Sequence, residues 1–139
     1  MFKYIIVIAI LLSATISHAE DIKSIEDLQK TLATFKYEKD NGTGLQTPEE
    51  TFNKKTGDCE DFAYFSHVYL TKLNIKNYFY VLINLDTQKG HAICIFKKRR
   101  GGYYYICDNT EISKTPYTHA FKLLKSAFKE YSVAILFKR

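Results

Sequence analysis

A chain of 139 residues is one domain's worth, and its 46% hydrophobic content, with 11 Tyr and 10 Phe, excludes a disordered or fibrous protein. The net charge of +5 is too small to imply a nucleic-acid partner. The one dense basic run, Lys97-Lys98-Arg99-Arg100, precedes Gly101-Gly102 and reads as a solvated hairpin tip.

The N-terminus reads as a targeting segment. Lys3 supplies a positive charge, Tyr4 to Leu12 is an apolar run, and Ser17-His18-Ala19 is a small-x-small cleavage site. Residues 1–19 are therefore expected to be a signal peptide and residues 20–139 the exported domain, periplasmic or secreted. The apolar run ends near Ile16, short of the roughly 20 residues a spanning helix needs. No later run is long enough either, so no membrane span is expected after cleavage.

Ile22, Ile25, Leu28, Leu32 and Phe35 recur at helical spacing and predict a helix over 22–36. Asp40 to Gly44 reads as a loop. Thr47 as N-cap, Pro48 at the first helical position and Glu50 at the capping-box position start a short second helix, which Lys54-Lys55-Thr56-Gly57 closes. A third helix begins at Asp58 or Cys59 and runs to about Leu73, with Cys59, Phe62, Ala63, Ser66 and Leu70 on one face. The period then changes. Residues 78–85, 91–97 and 103–108 read as strands, 118–130 as a helix and 132–137 as a last strand. Helices followed by an antiparallel sheet make an α+β domain.

Three cysteines in an exported chain leave one thiol over. Cys59, at a helix N-terminus, would feel the positive end of the helix dipole, which favours a thiolate. Gly57 before it would let the backbone come close to a substrate. The bland alternative is a small buried Cys on an apolar face. The hairpin bears on this choice. A two-residue turn at Arg100-Gly101 pairs Arg99 with Gly102, Cys94 with Cys107 and Ile93 with Asp108. His91 then faces Thr110, so His91 and Asp108 become diagonal neighbours on one face, within hydrogen-bond reach. A slip of one residue would put them on opposite faces. Cys94 and Cys107 oppose each other on the other face, as a disulfide or as two packed thiols. His67 and His119 have no evident role, and His18 leaves with the signal segment. Without CxxC or HExxH spacing the chain offers no structural zinc site.

Leu45-Gln46-Thr47-Pro48-Glu49-Glu50, then Gly57-Asp58-Cys59-Glu60-Asp61-Phe62-Ala63, His91-Ala92 and Cys107-Asp108-Asn109 resemble the transglutaminase-like superfamily, most nearly the bacterial transglutaminase-like cysteine proteinases. The resemblance covers roughly residues 45–110. It implies a papain-like fold with the nucleophile at a helix N-terminus packed against an antiparallel sheet. It also implies a nucleophilic Cys59, a general base His91 and an orienting Asp108. Some members are calcium-requiring periplasmic proteases of surface adhesins whose metal-binding acids flank the cysteine. That points to Asp58 and Glu60, with Asp61 as a third acid nearby, although such acids also serve simply as helix N-terminal charges. The family often carries a Trp before the Gln/Ser/Thr-Pro stretch. Leu45 stands there and the chain has no Trp, so Gln46 or the Cys59 backbone N–H is left as oxyanion donor.

The expected function is thus that of an exported thiol hydrolase, a cysteine peptidase acting on a protein or peptide through Cys59, His91 and Asp108. No cofactor is needed for the chemistry, and calcium is a structural candidate. The same triad could instead transfer the acyl group to an amine or deamidate glutamine. The fold could also serve as a non-catalytic binding module.

Overall fold

The protein is described by a computed structural model covering residues 21–40, 44–98 and 100–137. The expected signal segment lies outside these residues, as does part of the expected 40–44 loop. The elements in order are α1 (Ile25–Leu32), β1 (Lys36–Tyr37), α2 (Pro48–Lys54), β2 (Thr56–Gly57), α3 (Cys59–Lys72), β3 (Asn77–Ile83), β4 (Gly90–Lys97), β5 (Tyr104–Asp108), β6 (Glu111–Lys114), α4 (Ala120–Ala127) and β7 (Val133–Phe137). Strands β3 to β7 form an antiparallel sheet in the order β6-β5-β4-β3-β7, and β1 pairs with β2 in parallel. The α+β class is as expected.

Strand β4 is the spine. Ala92 to Phe96 are all buried, because α3 covers one face of the sheet and α4 the other. Cys94, Phe96 and Cys107 meet Phe62, Phe65, Tyr69 and Leu70 of α3, together with Leu28, Leu32 and Phe35. Leu82, Ile93, Ile95 and Ile106 meet Leu123 and Phe128 on the opposite side. Alternation along a strand divides one apolar run between two cores. Each fully buried Phe or Leu contributes about 1.5–3 kcal/mol. Phe35 is an aromatic hinge of the α3 side, 5.2 Å edge-on from Phe65 and 6.0 Å stacked on Phe62.

Several boundaries differ from the sequence reading for local reasons. Helix α1 is shorter than 22–36, because Ser24 caps it by accepting from the Asp27 N–H at 3.0 Å. Ile22 and Phe35 stay in the core from outside the helix. Strand β6 was unforeseen, since Glu111-Ile112-Ser113-Lys114 is too short and polar to show a period. It is held instead by Gln29 of α1, which donates to the Thr110 carbonyl and accepts from the Ile112 N–H. The β4–β5 loop is longer than two residues: the last ladder pair is Lys97 with Tyr104, and the Gly101 N–H donates to the Lys98 carbonyl. Arg99 lies outside the described residues. The register is unaffected, with Ile93 opposite Asp108 and Cys94 opposite Cys107.

Of the two options for that cysteine pair, the structure has free thiols. Cys94 donates its S–H to Asn77 Oδ1 at 3.3 Å, and burial, with help from Cys107, pushes its thiol well above the ordinary range. A thiol titration of unreduced protein is therefore expected to find three reactive thiols after denaturation and one, Cys59, in the folded state. A count of one after denaturation would mean that Cys94 and Cys107 are bridged.

Candidate functional site

Helix α3 starts where β2 stops. Asp58 is its N-cap: the carboxylate accepts from the Glu60 N–H at 3.1 Å and from the Asp61 N–H, and Asp61 returns the favour by accepting from the Asp58 N–H at 3.1 Å. This reciprocal cap fixes the first turn and presents Cys59 as its first residue. The Cys59 N–H is one of the donors a helix start leaves unpaired.

Asp61 does more than cap, although its position alone marked it only as a possible metal ligand or N-terminal charge. It is 1% exposed. Beyond the Asp58 N–H it takes the Gln46 N–H at 2.7 Å and the Gln46 side-chain amide at 2.9 Å. A buried carboxylate is tolerated when donors replace its water, and here those donors tie the 44–47 segment to the start of α3. Two expectations change as a result. Gln46 is committed to Asp61 and the Thr56 carbonyl, so its amide hydrogens are spent and it does not serve as an oxyanion donor. Gly57 is glycine for Asp61 rather than for a substrate: a Cβ there would lie 2.8 Å from Asp61 Cβ and 2.9 Å from its Oδ2.

Cys59 is half-buried beside Ala63, Phe79 and Ala92 on the α3 side of the sheet. His91 and Asp108 stand at sheet positions that alternate with Ala92 and Cys107, on the α4 side. The two sides meet at the end of β4. There His91 donates from Nε2 to Asp108 Oδ1 at 2.8 Å, and the Cys59 thiol is near enough to act on the ring's titration. The Asp108 bond, then the Cys59 thiol, outweigh burial and push the imidazole up to about 10 from 6.5. Its side chain is 18% exposed. Phe128 at 6.1 Å and Tyr131 at 6.2 Å wall the ring from the α4 side. Asp108 is braced by the turn that follows it, where Asn109 takes the left-handed conformation at φ 50° and Gln29 holds Thr110.

Two tyrosines that respond to the charge of Cys59 were not singled out from the sequence. Burial, then the charges of Cys59 and Asp58, raise the Tyr37 phenol; burial, then Glu130, Cys59 and Asp108, raise that of Tyr131. Nothing in their spacing distinguished them from other core or surface aromatics.

Asp58 and Glu60 converge with Asp40, which the sequence reading left in a loop; ligand oxygens of the three lie within 4.8 Å of one another. Burial first, then neighbouring carboxylates including Asp40, raise both Asp58 and Glu60 above the usual carboxylate range. Three crowded hard-oxygen donors whose charges repel fit a calcium ion, which carries six to eight oxygen ligands drawn also from carbonyls and water. His67 instead bonds Asn77 Oδ1 at 2.6 Å, and His119 stands at the N-cap position of α4 without a capping bond, its ring paired with the Thr118 hydroxyl. Both stand apart from this site.

A raised imidazole contributes stability that is complete below its unfolded value of 6.5 and is lost as pH rises through about 10. Urea unfolding across that window is expected to show wild type losing its advantage over Asp108→Asn as pH rises. A pH-independent gap between the two would contradict the ion pair.

The transglutaminase-like domain family matches this chain over residues 5–137. No curated protein matches it. Among solved structures it is similar to LapG of Legionella pneumophila, at 22% identity and TM-score 0.51, over 70% of this chain and 61% of that one. Calcium-bound LapG from the same organism gives 21% identity and TM-score 0.55 over 86% and 70%, and an EGTA-treated form gives 22% and 0.50 over 70% and 61%. At these identities the likeness is one of fold. The chain spans 61% of the first of these structures. Among the described residues no helix is long and apolar enough to cross a membrane.

Proposed function

The chain belongs to the transglutaminase-like domain family, and from that premise we propose that it is an exported cysteine peptidase that cleaves a peptide or amide bond through Cys59, His91 and Asp108. One observation supports the reading above the others: the His91 ring, held by Asp108 at 2.8 Å, has its titration raised by Asp108 and by the Cys59 thiol together. Export rests on the Lys3, apolar-run and Ser17-His18-Ala19 pattern.

In the proposed cycle the Cys59 proton resides on His91, held there by Asp108. The thiolate attacks a substrate amide carbon, and the carbonyl oxygen takes the negative charge. The Cys59 N–H, aided by the α3 dipole, is the donor placed to receive it. His91 then gives its proton to the departing amine as the C–N bond breaks, leaving a thioacyl enzyme. Water attacks that thioester with His91 taking its proton, and the acid and the free thiol are regenerated. An amine in place of water would give acyl transfer from the same intermediate.

Iodoacetamide tests the pair directly. At pH 6 it is expected to label Cys59 of folded wild type faster than the denatured control, with His91→Ala abolishing the difference. Equal rates in all three would leave an inert thiol and the binding-module reading.

Calcium belongs to this proposal, supported by the calcium-bound form of LapG and by the Asp40, Asp58 and Glu60 cluster. Those three carboxylates would hold it, and it would supply positive charge that offsets their repulsion beside Cys59. Saturating calcium is expected to raise the melting temperature, by the equivalent of about 2.7 kcal/mol at one hundred times Kd. Glu60→Gln, which leaves the Asp58 cap intact, should remove the shift. A shift that survives this substitution, or none in wild type, would place calcium elsewhere.

A further inference from the structure

Beside the His91 ring lies a cavity of about 210 Å³, open to solvent and walled mainly by Leu82, Phe121, Leu124, Phe128, Tyr131 and Ala134, with Lys125 and Ser132 as its polar lining. Two of these walls, Phe128 and Tyr131, are the rings that pack against His91. The main chain that carries them is anchored. The Tyr131 N–H donates to the Phe128 carbonyl at 3.0 Å, the Ser132 N–H to the Ile83 carbonyl at 2.9 Å, and Asn84 Nδ2 to the Glu130 carbonyl at 2.6 Å, which pins the 128–132 segment to the end of β3. At the mouth Phe121 is 74% exposed, so a large apolar ring is left facing water beside a concave apolar surface. Isolated exposed apolar side chains are ordinary, but an apolar pocket with an exposed aromatic rim adjoining a polar site is the form of a ligand subsite.

We propose that this cavity is the subsite for a large apolar side chain of the peptide substrate, on the C-terminal side of the cut bond, one or two residues after it. The inference rests on the peptidase reading and deepens it. The argument is positional. In amide cleavage His91 must deliver its proton to the departing nitrogen, so the chain that carries that nitrogen lies against the imidazole. The segment N-terminal to the bond stays with the Cys59 sulfur. A pocket that shares its walls with the imidazole therefore takes side chains from the departing segment. A volume of about 210 Å³ accepts one side chain of Leu, Met, Phe or Tyr size; six of its eight lining residues are apolar and favour an apolar occupant, and Lys125 repels a basic one. Phe128 and Tyr131 then act twice, as supports of the base and as walls of the specificity pocket.

The test uses a mixture of synthetic peptides randomised at every position, with calcium present, cut sites read by mass spectrometry and Cys59→Ala as blank. Wild type is expected to enrich Leu, Met, Phe or Tyr at the first or second residue after the cut. Ala134→Trp, which fills the cavity from an exposed position on β7, is expected to reduce that enrichment by about tenfold or more. Phe121→Ala, whose exposed ring can be removed without disturbing the core, should weaken it in the same direction. Cutting with no apolar preference after the bond, or a preference that both variants retain, overturns the subsite and leaves the peptidase intact. No cutting by wild type above the blank overturns the peptidase reading, and the subsite falls with it.

Discussion

The placement of one hydrogen bond, His91 to Asp108, depends on the pairing of β4 with β5, and that pairing is held by burial far from the bond itself. Because β4 is covered on both faces, its side chains cannot exchange faces without moving Ala92, Cys94 and Phe96 out of one core and Ile93 and Ile95 out of the other. A slip of one residue reverses every side chain. It would leave several large side chains wrongly placed, at about 1.5–3 kcal/mol each, to gain nothing. The register is therefore far better determined than the polar pair could make it alone. The pair in turn needs it, since Asp108 on the other face would meet Phe62 and Phe65 instead of an imidazole.

That constraint explains why so much of the site was legible beforehand. Turn chemistry suggested a hairpin, alternation put His91 and Asp108 on one face, and the register found is the one that this pairing required, although the turn itself is longer than two residues. The ladder depends on the sum of paired residue numbers, which a longer loop centred on the same point leaves unchanged. The second helix was equally readable, because its capping box is a local pattern: Thr47 accepts from the Glu50 N–H and Glu50 from the Thr47 N–H. Features that depend on long-range contacts were not readable. Asp40 and Glu60 are brought together by the fold alone. Asp61 looked like one more first-turn acid, and only burial and the approach of Gln46 reveal a structural carboxylate. Strand β6 owes its existence to Gln29, more than eighty residues earlier.

The start of α3 carries an electrostatic tension that joins these parts. Asp58, Glu60 and Asp61 lie in or beside its first turn and Asp40 adjoins them, so the residue proposed as nucleophile sits among negative groups. Two unit charges about 6 Å apart interact by roughly 3 kcal/mol at an effective dielectric of about 20. Carboxylates crowded at one helix start repel one another by that order of energy. Asp61 is largely answered by its three N–H donors, and the helix dipole offsets part of the remainder. The imidazole is raised first by Asp108 and then by the Cys59 thiol, so its titration is the counterpart of this negative surround. At Asp58 and Glu60 burial and the neighbouring carboxylates win, since both are raised above the usual carboxylate range although Asp58 accepts from two N–H groups. A divalent cation at Asp40, Asp58 and Glu60 would remove the repulsion and leave the His91 charge to act on Cys59 alone. On this argument calcium has no part in bond making. Held there, it would relax the repulsion among the carboxylates at the start of α3 and so steady the turn that presents Cys59.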